Sequence, residues 1–159
     1  YFYEDVLRVP LILRVPASLG AIPHPDDTPS ALASHVDVVP TLLDLTGVDP
    51  LPDSPPLQGH SLLAGPRDAA FAEATPGDKP NPQTHARVVV TDRWKYVFRP
   101  EDDVRDELYD LESDPDELRN LAVDAAHQST LQALQQRVAF WMRDTADPLT
   151  PPSGSLPHP

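Results

Sequence analysis

The sequence predicts an α/β chain that closes on a small antiparallel sheet packed under a C-terminal helix. Three observations predict it. A continuous apolar run bounded by prolines, Val9-Pro10-Leu11-Ile12-Leu13-Arg14-Val15-Pro16, has the length of a strand buried on both faces, as in a parallel sheet covered by helices. A capped, periodic stretch follows at residues 34–47. From residue 87 the pattern turns to short β-branched and aromatic runs, followed by a long amphipathic stretch.

Taken in order, Glu4 and Asp5 precede Arg8, a spacing that suits a weak local salt bridge. Residues 20–30 read as a loop, with Pro23, Pro25 and Pro29 around His24, Asp26 and Asp27. A metal site there lacks a fourth ligand, and the prolines keep the backbone extended. Residues 34–47 read as a packing helix. Ser34 or Asp37 can cap it, because a short side-chain oxygen accepts an otherwise unpaired first-turn N–H. Pro40 fits the first turn, where no backbone donor is needed. Val38, Val39, Leu42, Leu43 and Leu45 recur at helical spacing, and Gly47 can take the left-handed conformation that ends the helix. His35, Asp37 and Asp44 read as capping and surface groups. A Pro-rich connector (Pro50, Pro52, Pro55, Pro56) leads to a turn at Gly59 and a short strand over residues 69–74. Residues 75–84 form a second polar loop, with Pro76, Gly77, Pro80 and Pro82. Lys79 in it and His85 beside it are the candidates for contacting an anion.

The sheet is predicted from Arg87-Val88-Val89-Val90, Trp94-Lys95-Tyr96-Val97-Phe98 and Glu107-Leu108-Tyr109-Asp110-Leu111. Thr91-Asp92-Arg93 makes a tight link, and the acidic Glu101-Asp102-Asp103 lies in the next connection. Alternation puts Trp94, Tyr96 and Phe98 on one face, which either stacks on a base or sugar or packs under a helix. Asp114-Pro115-Asp116-Glu117 matches a capping box. The acids there lack the twelve-residue spacing and central Gly of a calcium loop. Leu131, Leu134, Val138 and Trp141 mark the covering helix from about residue 125 to 143. Residues 147–159 are Pro-rich without apolar periodicity and read as a disordered tail. The domain reading is therefore residues 1–74, 75–146 and the tail 147–159.

Composition narrows the chemistry. Of 159 residues, 21 are Pro, so much of the backbone is irregular; 40% apolar content still supports a folded core. With no Cys there is no disulfide framework, thiol nucleophile or thiolate metal site. A formal charge of −13 argues against nonspecific binding to nucleic acid or anionic lipid. No apolar run approaches the ~20 residues that span a bilayer. No serine sits in a nucleophile-elbow context, no Gly-rich phosphate loop is present, and no two histidines are spaced i, i+4. The opening Tyr1-Phe2-Tyr3 reads as an interior stretch, so a fragment of a longer protein is expected.

Three stretches, in this order, resemble the C-terminal part of a sulfatase of the alkaline-phosphatase superfamily. They are Tyr3-Glu4-x-x-x-Arg8-Val9-Pro10-Leu11-Ile12; residues 36–47 with Gly59-His60-Ser61-Leu62; and Arg93-Trp94-Lys95-Tyr96 with Glu107-Leu108-Tyr109-Asp110-Leu111-x-x-Asp114-Pro115-x-Glu117-x-x-Asn120-Leu121. The resemblance covers residues 3–122 and implies the end of an α/β/α sulfatase domain followed by an antiparallel sheet subdomain with a covering helix. It implies hydrolysis of a sulfate monoester, on a sulfated small molecule or saccharide. A formylglycine made from Cys or Ser in a Cys/Ser-x-Pro-x-Arg motif would be the nucleophile, with Ca²⁺ stabilising developing charge. Neither that motif nor the metal ligands occur in this chain, and the family's active-site lysine falls just before the Tyr3-Glu4 stretch. No catalytic or metal residue is therefore assigned here. The resemblance implies that the loop from Thr75 to His85 occupies the region bordering the family's substrate pocket, which makes Lys79 and His85 the candidates for contacting an anionic or sugar substrate. Two alternatives stand beside this reading: a phosphonate or phosphate ester hydrolase of the same superfamily, and a non-catalytic Pro-rich interaction module.

Overall fold

The computed structural model describes residues 2–19, 32–65, 67–74, 85–100 and 105–152. The chain gathers into two compact units. One comprises Tyr1–Val9 with Phe71–Pro159, the other Pro10–Ala70.

In the first unit, the β-branched and aromatic runs form a four-stranded sheet in the order β1 (Ala70–Ala74), β2 (Ala86–Val90), β3 (Trp94–Phe98), β4 (Glu107–Asp110). The strands fall where the sequence places them, and β2–β3 and β3–β4 are antiparallel. The tight link after β2 is held by Thr91, whose N–H donates to the Trp94 carbonyl (2.8 Å) and whose Oγ1 accepts from the Trp94 N–H (2.9 Å). Val88 stands opposite Val97, Val90 opposite Lys95, and Lys95 opposite Tyr109. Directly paired residues share a face. One face thus carries Ala86, Val88, Val90, Lys95, Val97, Glu107 and Tyr109. The other carries Arg87, Val89, Trp94, Tyr96, Phe98 and Leu108.

Both faces are covered. On the first, Ala86, Val88 and Val97 are buried, with Phe2, Leu7, Ala72 and Val90 packed against them. The short helix α1 (Glu4–Leu7) belongs to this cover. The second face lies under α3 (Gln128–Asp144), which buries Leu131, Leu134, Val138, Ala139 and Met142. A hydrogen bond to Gln135 of α3 reaches Tyr96, and Trp141 stacks on Phe71 at 5.1 Å between ring centroids. The aromatic face is therefore a core face: Tyr96 is fully buried and Phe98 nearly so. Burial, and then Asp106 beside it, pushes the Tyr96 phenol well above its ordinary value, so it stays a neutral donor to Asp106 (2.5 Å).

Four expectations need correction. The run at residues 9–16 forms no strand, and Ile12 is 91% exposed. A strand buried on both faces takes its hydrogen bonds from neighbouring strands and its cover from helices. The sheet built here contains only segments from residue 70 onward. The capping-box stretch opens no helix. The Asp114 carboxylate instead accepts from the Leu118 and Arg119 N–H groups (3.0 and 2.9 Å), while Glu117 turns inward with φ 55°. The tail is anchored at its start: the Asp147 carboxylate pairs with the buried Arg87 guanidinium, which also donates to the Ala74 carbonyl (3.1 Å). Burial opposes the Asp147 charge, yet the bond to Arg87 prevails and holds its carboxyl below the ordinary range. In the second unit, α2 (Val38–Thr46) forms as the periodicity predicts and ends on Gly47 at φ 64°. Its expected apolar face, however, leaves Val39 and Leu42 half exposed, and its buried residue is Thr41. The polar loop at residues 20–30 and the acidic connection at 101–103 lie outside the described residues.

Asp110 ends β4 in a bidentate pair with Arg93 (2.9 and 2.8 Å). That bond, working against burial, lowers its carboxyl from 3.8 to about 2. A carboxyl that is more acidic when folded contributes stability that is complete above its unfolded pKa and lost as pH falls through the folded one. Asp110→Asn is expected to flatten the fall in melting temperature between about pH 4 and pH 2. An unchanged slope in that window would contradict the pairing.

Candidate functional site

Among the described residues two buried polar clusters stand out, beside the pair singled out from the sequence. The first is centred on Lys95. Its side chain leaves β3 on the face that also carries Val97, and it is completely buried. A buried ammonium needs charge and hydrogen-bond partners, because desolvation disfavours it strongly. It has three. Its Nζ lies against the Glu117 Oε1, donates to the Phe2 carbonyl (2.6 Å), and sits 3.4 Å from the Glu4 Oε1. The Glu117 Oε2 in turn accepts from the Glu4 N–H (2.7 Å). The Tyr109 ring lies 5.9 Å from Nζ. Residues more than ninety positions apart therefore close one cluster. Arg8 touches Glu4 only at 3.9 Å and is largely exposed.

The second group is centred on Asp37, which is also completely buried. The capping reading is right in part: Ser34 is the cap of the turn His35–Asp37, and Asp37 reaches back so that its Oδ2 accepts from the Ser34 N–H (2.7 Å), while at the start of α2 Asp37 makes no side-chain cap bond. The surface reading does not hold. Oδ1 accepts from the His60 N–H (2.7 Å), and Arg67 Nη1 lies 3.1 Å from Oδ2. One turn on, Thr41 Oγ1 accepts from the Leu62 N–H (2.9 Å) and donates to the Asp37 carbonyl (2.6 Å). A further turn on, Asp44 accepts from the Ser61 hydroxyl (2.7 Å). The polar edge of α2 thus zips onto residues 60–62. Gly59 makes the approach possible: a Cβ there would stand 1.8 Å from the Val36 carbonyl oxygen.

The third group is the pair singled out for an anion. Lys79 lies outside the described residues. His85 is half-buried immediately before β2, at the end of the connection from β1. The structure does not bring the two into a described site.

These arrangements hold structure together more than they react. Lys95 and Asp37 have spent their capacity on neighbours. Among the described residues, no group of three His, Cys, Asp or Glu is placed to hold a metal. Sequence reading missed both hubs. A signal for Lys95 was present: strand alternation puts it on the Val88–Val97 face, where a charge cannot stand alone.

The motif pattern and the fold agree with known proteins. The profile of the family "N-sulphoglucosamine sulphohydrolase, C-terminal" matches residues 1–144. The chain belongs to that family of sulfatase C-terminal domains. It is 34% identical to a choline-sulfatase of Rhizobium meliloti over 92% of this chain and 28% of that protein. It is 32% identical to arylsulfatase K of Gallus gallus over 84% of this chain and 25% of that protein. It thus spans about a quarter of the length of these relatives. Among solved structures, a phosphonate monoester hydrolase of Agrobacterium radiobacter superposes with a TM-score of 0.55 at 28% identity, over 69% of this chain and 24% of that one. A protein solved with its substrate D-glucosamine-2-N,6-O-disulfate shares the fold, with a TM-score of 0.59 at 24% identity, over 70% of this chain and 24% of that one.

Gly59→Ala is expected to destabilise the docking of residues 60–62 on α2, because backbone would have to move away from the new methyl. The measurable outcome is a loss on the order of 1–3 kcal/mol in denaturant unfolding. A variant as stable as the parent would show that the close approach is not made.

Proposed function

We propose that this chain is the C-terminal portion of a sulfatase that hydrolyses a sulfate monoester, on a sulfated small molecule or saccharide. Its own part is to build the subdomain that supports the reaction. The observation that carries this reading is the family match over residues 1–144, in a chain spanning about a quarter of its sulfatase relatives.

Calcium and formylglycine, which the motif resemblance implies, supply the nucleophile and charge stabilisation in such a reaction. The described residues do not fit a metal site, and the chain has no Cys. In this reading those groups belong to other parts of a longer protein, and residues 1–159 alone are inert. Lys79 and His85 are the candidates here to meet an anionic or sugar substrate, since both belong by sequence to the β1–β2 connection. A second reading, phosphonate ester hydrolysis, is favoured by the 28% identity to the Agrobacterium radiobacter enzyme.

The test is turnover of paired aryl sulfate and aryl phosphonate monoesters by the longer protein and by residues 1–159 alone. The expected result is sulfate turnover by the longer protein, with a rise in KM for His85→Ala, and none by the shorter chain. Preference for the phosphonate would favour the second reading. Activity of residues 1–159 alone would overturn the division of labour.

A further inference from the structure

The cluster at Lys95 is built in an unusual way for a stabilising contact. Buried ion pairs are often no more stable than well-packed apolar residues of the same volume, so their presence calls for another reason. Two of its bonds go to main chain: Lys95 Nζ to the Phe2 carbonyl and the Glu117 carboxylate to the Glu4 N–H. Main-chain bonds fix the path of a segment whatever its side chains are. Glu117 stands in the cluster with φ 55°, a conformation that costs energy in a non-glycine residue. Strain of this kind persists where surrounding structure demands one geometry. The segment so held lies at the start of the family match, which runs from residue 1. The matching family is a C-terminal one, and about three-quarters of the sulfatase relatives lies outside the matched region.

We propose that Lys95 and Glu117 are positioning residues: they clamp the main chain at Phe2 and Glu4 so that preceding polypeptide enters against the sheet in one fixed path, and sulfate ester hydrolysis by the longer protein depends on that path. The catalytic half of this inference rests on the sulfatase reading; the clamp itself does not. Neither residue touches substrate in this scheme. Both act through the segment they hold, and small displacements of reacting groups are expensive in rate.

Glu117→Gly tests the clamp from the carboxylate side, leaving Lys95 with Glu4 and the Phe2 carbonyl. It removes the carboxylate and at the same time relieves the left-handed backbone strain. Lys95→Met, which keeps the length of the stem without the charge, is the second variant. Amide hydrogen exchange on residues 1–159 reads the clamp directly. The amides of Val6, Leu7 and Arg8, bonded to the Tyr3 and Glu4 carbonyls, are expected to exchange at least tenfold faster in both variants. The β2–β3 amides should keep their protection. In the longer protein, kcat for an aryl sulfate should fall at least tenfold with KM within twofold in both variants, each measured well below its own melting temperature. Unchanged exchange at residues 6–8 overturns the clamp. Faster exchange with unchanged kcat overturns its role in the reaction, and loss of protection throughout the sheet shows an ordinary stabilising contact. If the parent protein turns over no sulfate ester, the sulfatase reading fails and the catalytic half falls with it, while the exchange result still decides the clamp.

Discussion

A single buried ammonium organises the better-built half of this molecule. Lys95 is the second residue of β3, on a face it shares with Ala86, Val88, Val90, Val97 and Tyr109, with Glu107 opposite Val97. Leaving it unpaired there would cost more than a domain of this size can tolerate. Its partners must therefore come to it, from residues 2–4 on one side and residue 117 on the other. Once they arrive, Phe2 and Leu7 are placed to cover Ala86, Val88 and Val97. The return of the chain after β4 is fixed as well. Asn120 Oδ1 accepts from the Leu108 N–H and its amide donates to the Asp106 carbonyl, which stitches that return along the β4 edge. The apolar cover on this face and the irregular stretch at residues 111–121 thus share one electrostatic requirement.

The opposite face obeys ordinary packing. Tyr96, Phe98 and Leu108 are buried on the face that α3 covers, and Arg87 closes the edge by binding Asp147 just beyond that helix. Here the polar contacts are consequences of the packing, since α3 would cover the aromatics without them. The two faces therefore differ in kind. One is specified by shape and apolar area, the other by a charge that accepts only a few arrangements.

The second unit repeats the principle on a smaller scale. Asp37 is as buried as Lys95 and gathers Ser34, His60 and Arg67. The helix that carries it is docked through its polar edge, while Val39 and Leu42 stay half exposed. Motif residues that look in sequence like a cap, a proline-bounded helix and a stray Gly-His-Ser-Leu prove to be two sides of one hydrogen-bonded seam. The sulfatase family resemblance thus marks positions that hold segments together.

What the sequence determined by itself is the set of local elements and the family. Strand alternation, the Thr91–Arg93 link, the helix ended by Gly47 and the amphipathic repeat of α3 all depend on neighbours close in the chain, and those were legible. So was the ordered motif set, because it is a pattern of residue types. Tertiary structure alone decided where the charges go. The capping-box pattern at residues 114–117 was a sound local reading, yet Lys95, some twenty residues earlier in the chain, draws Glu117 inward and no helix forms. The apolar run at residues 9–16 was a sound strand by composition, yet a strand exists only where another strand offers it hydrogen bonds. Local patterns report what a segment can do. Burial of an ion and pairing of an edge depend on contacts between residues far apart in sequence, and those contacts exist only once the chain has folded.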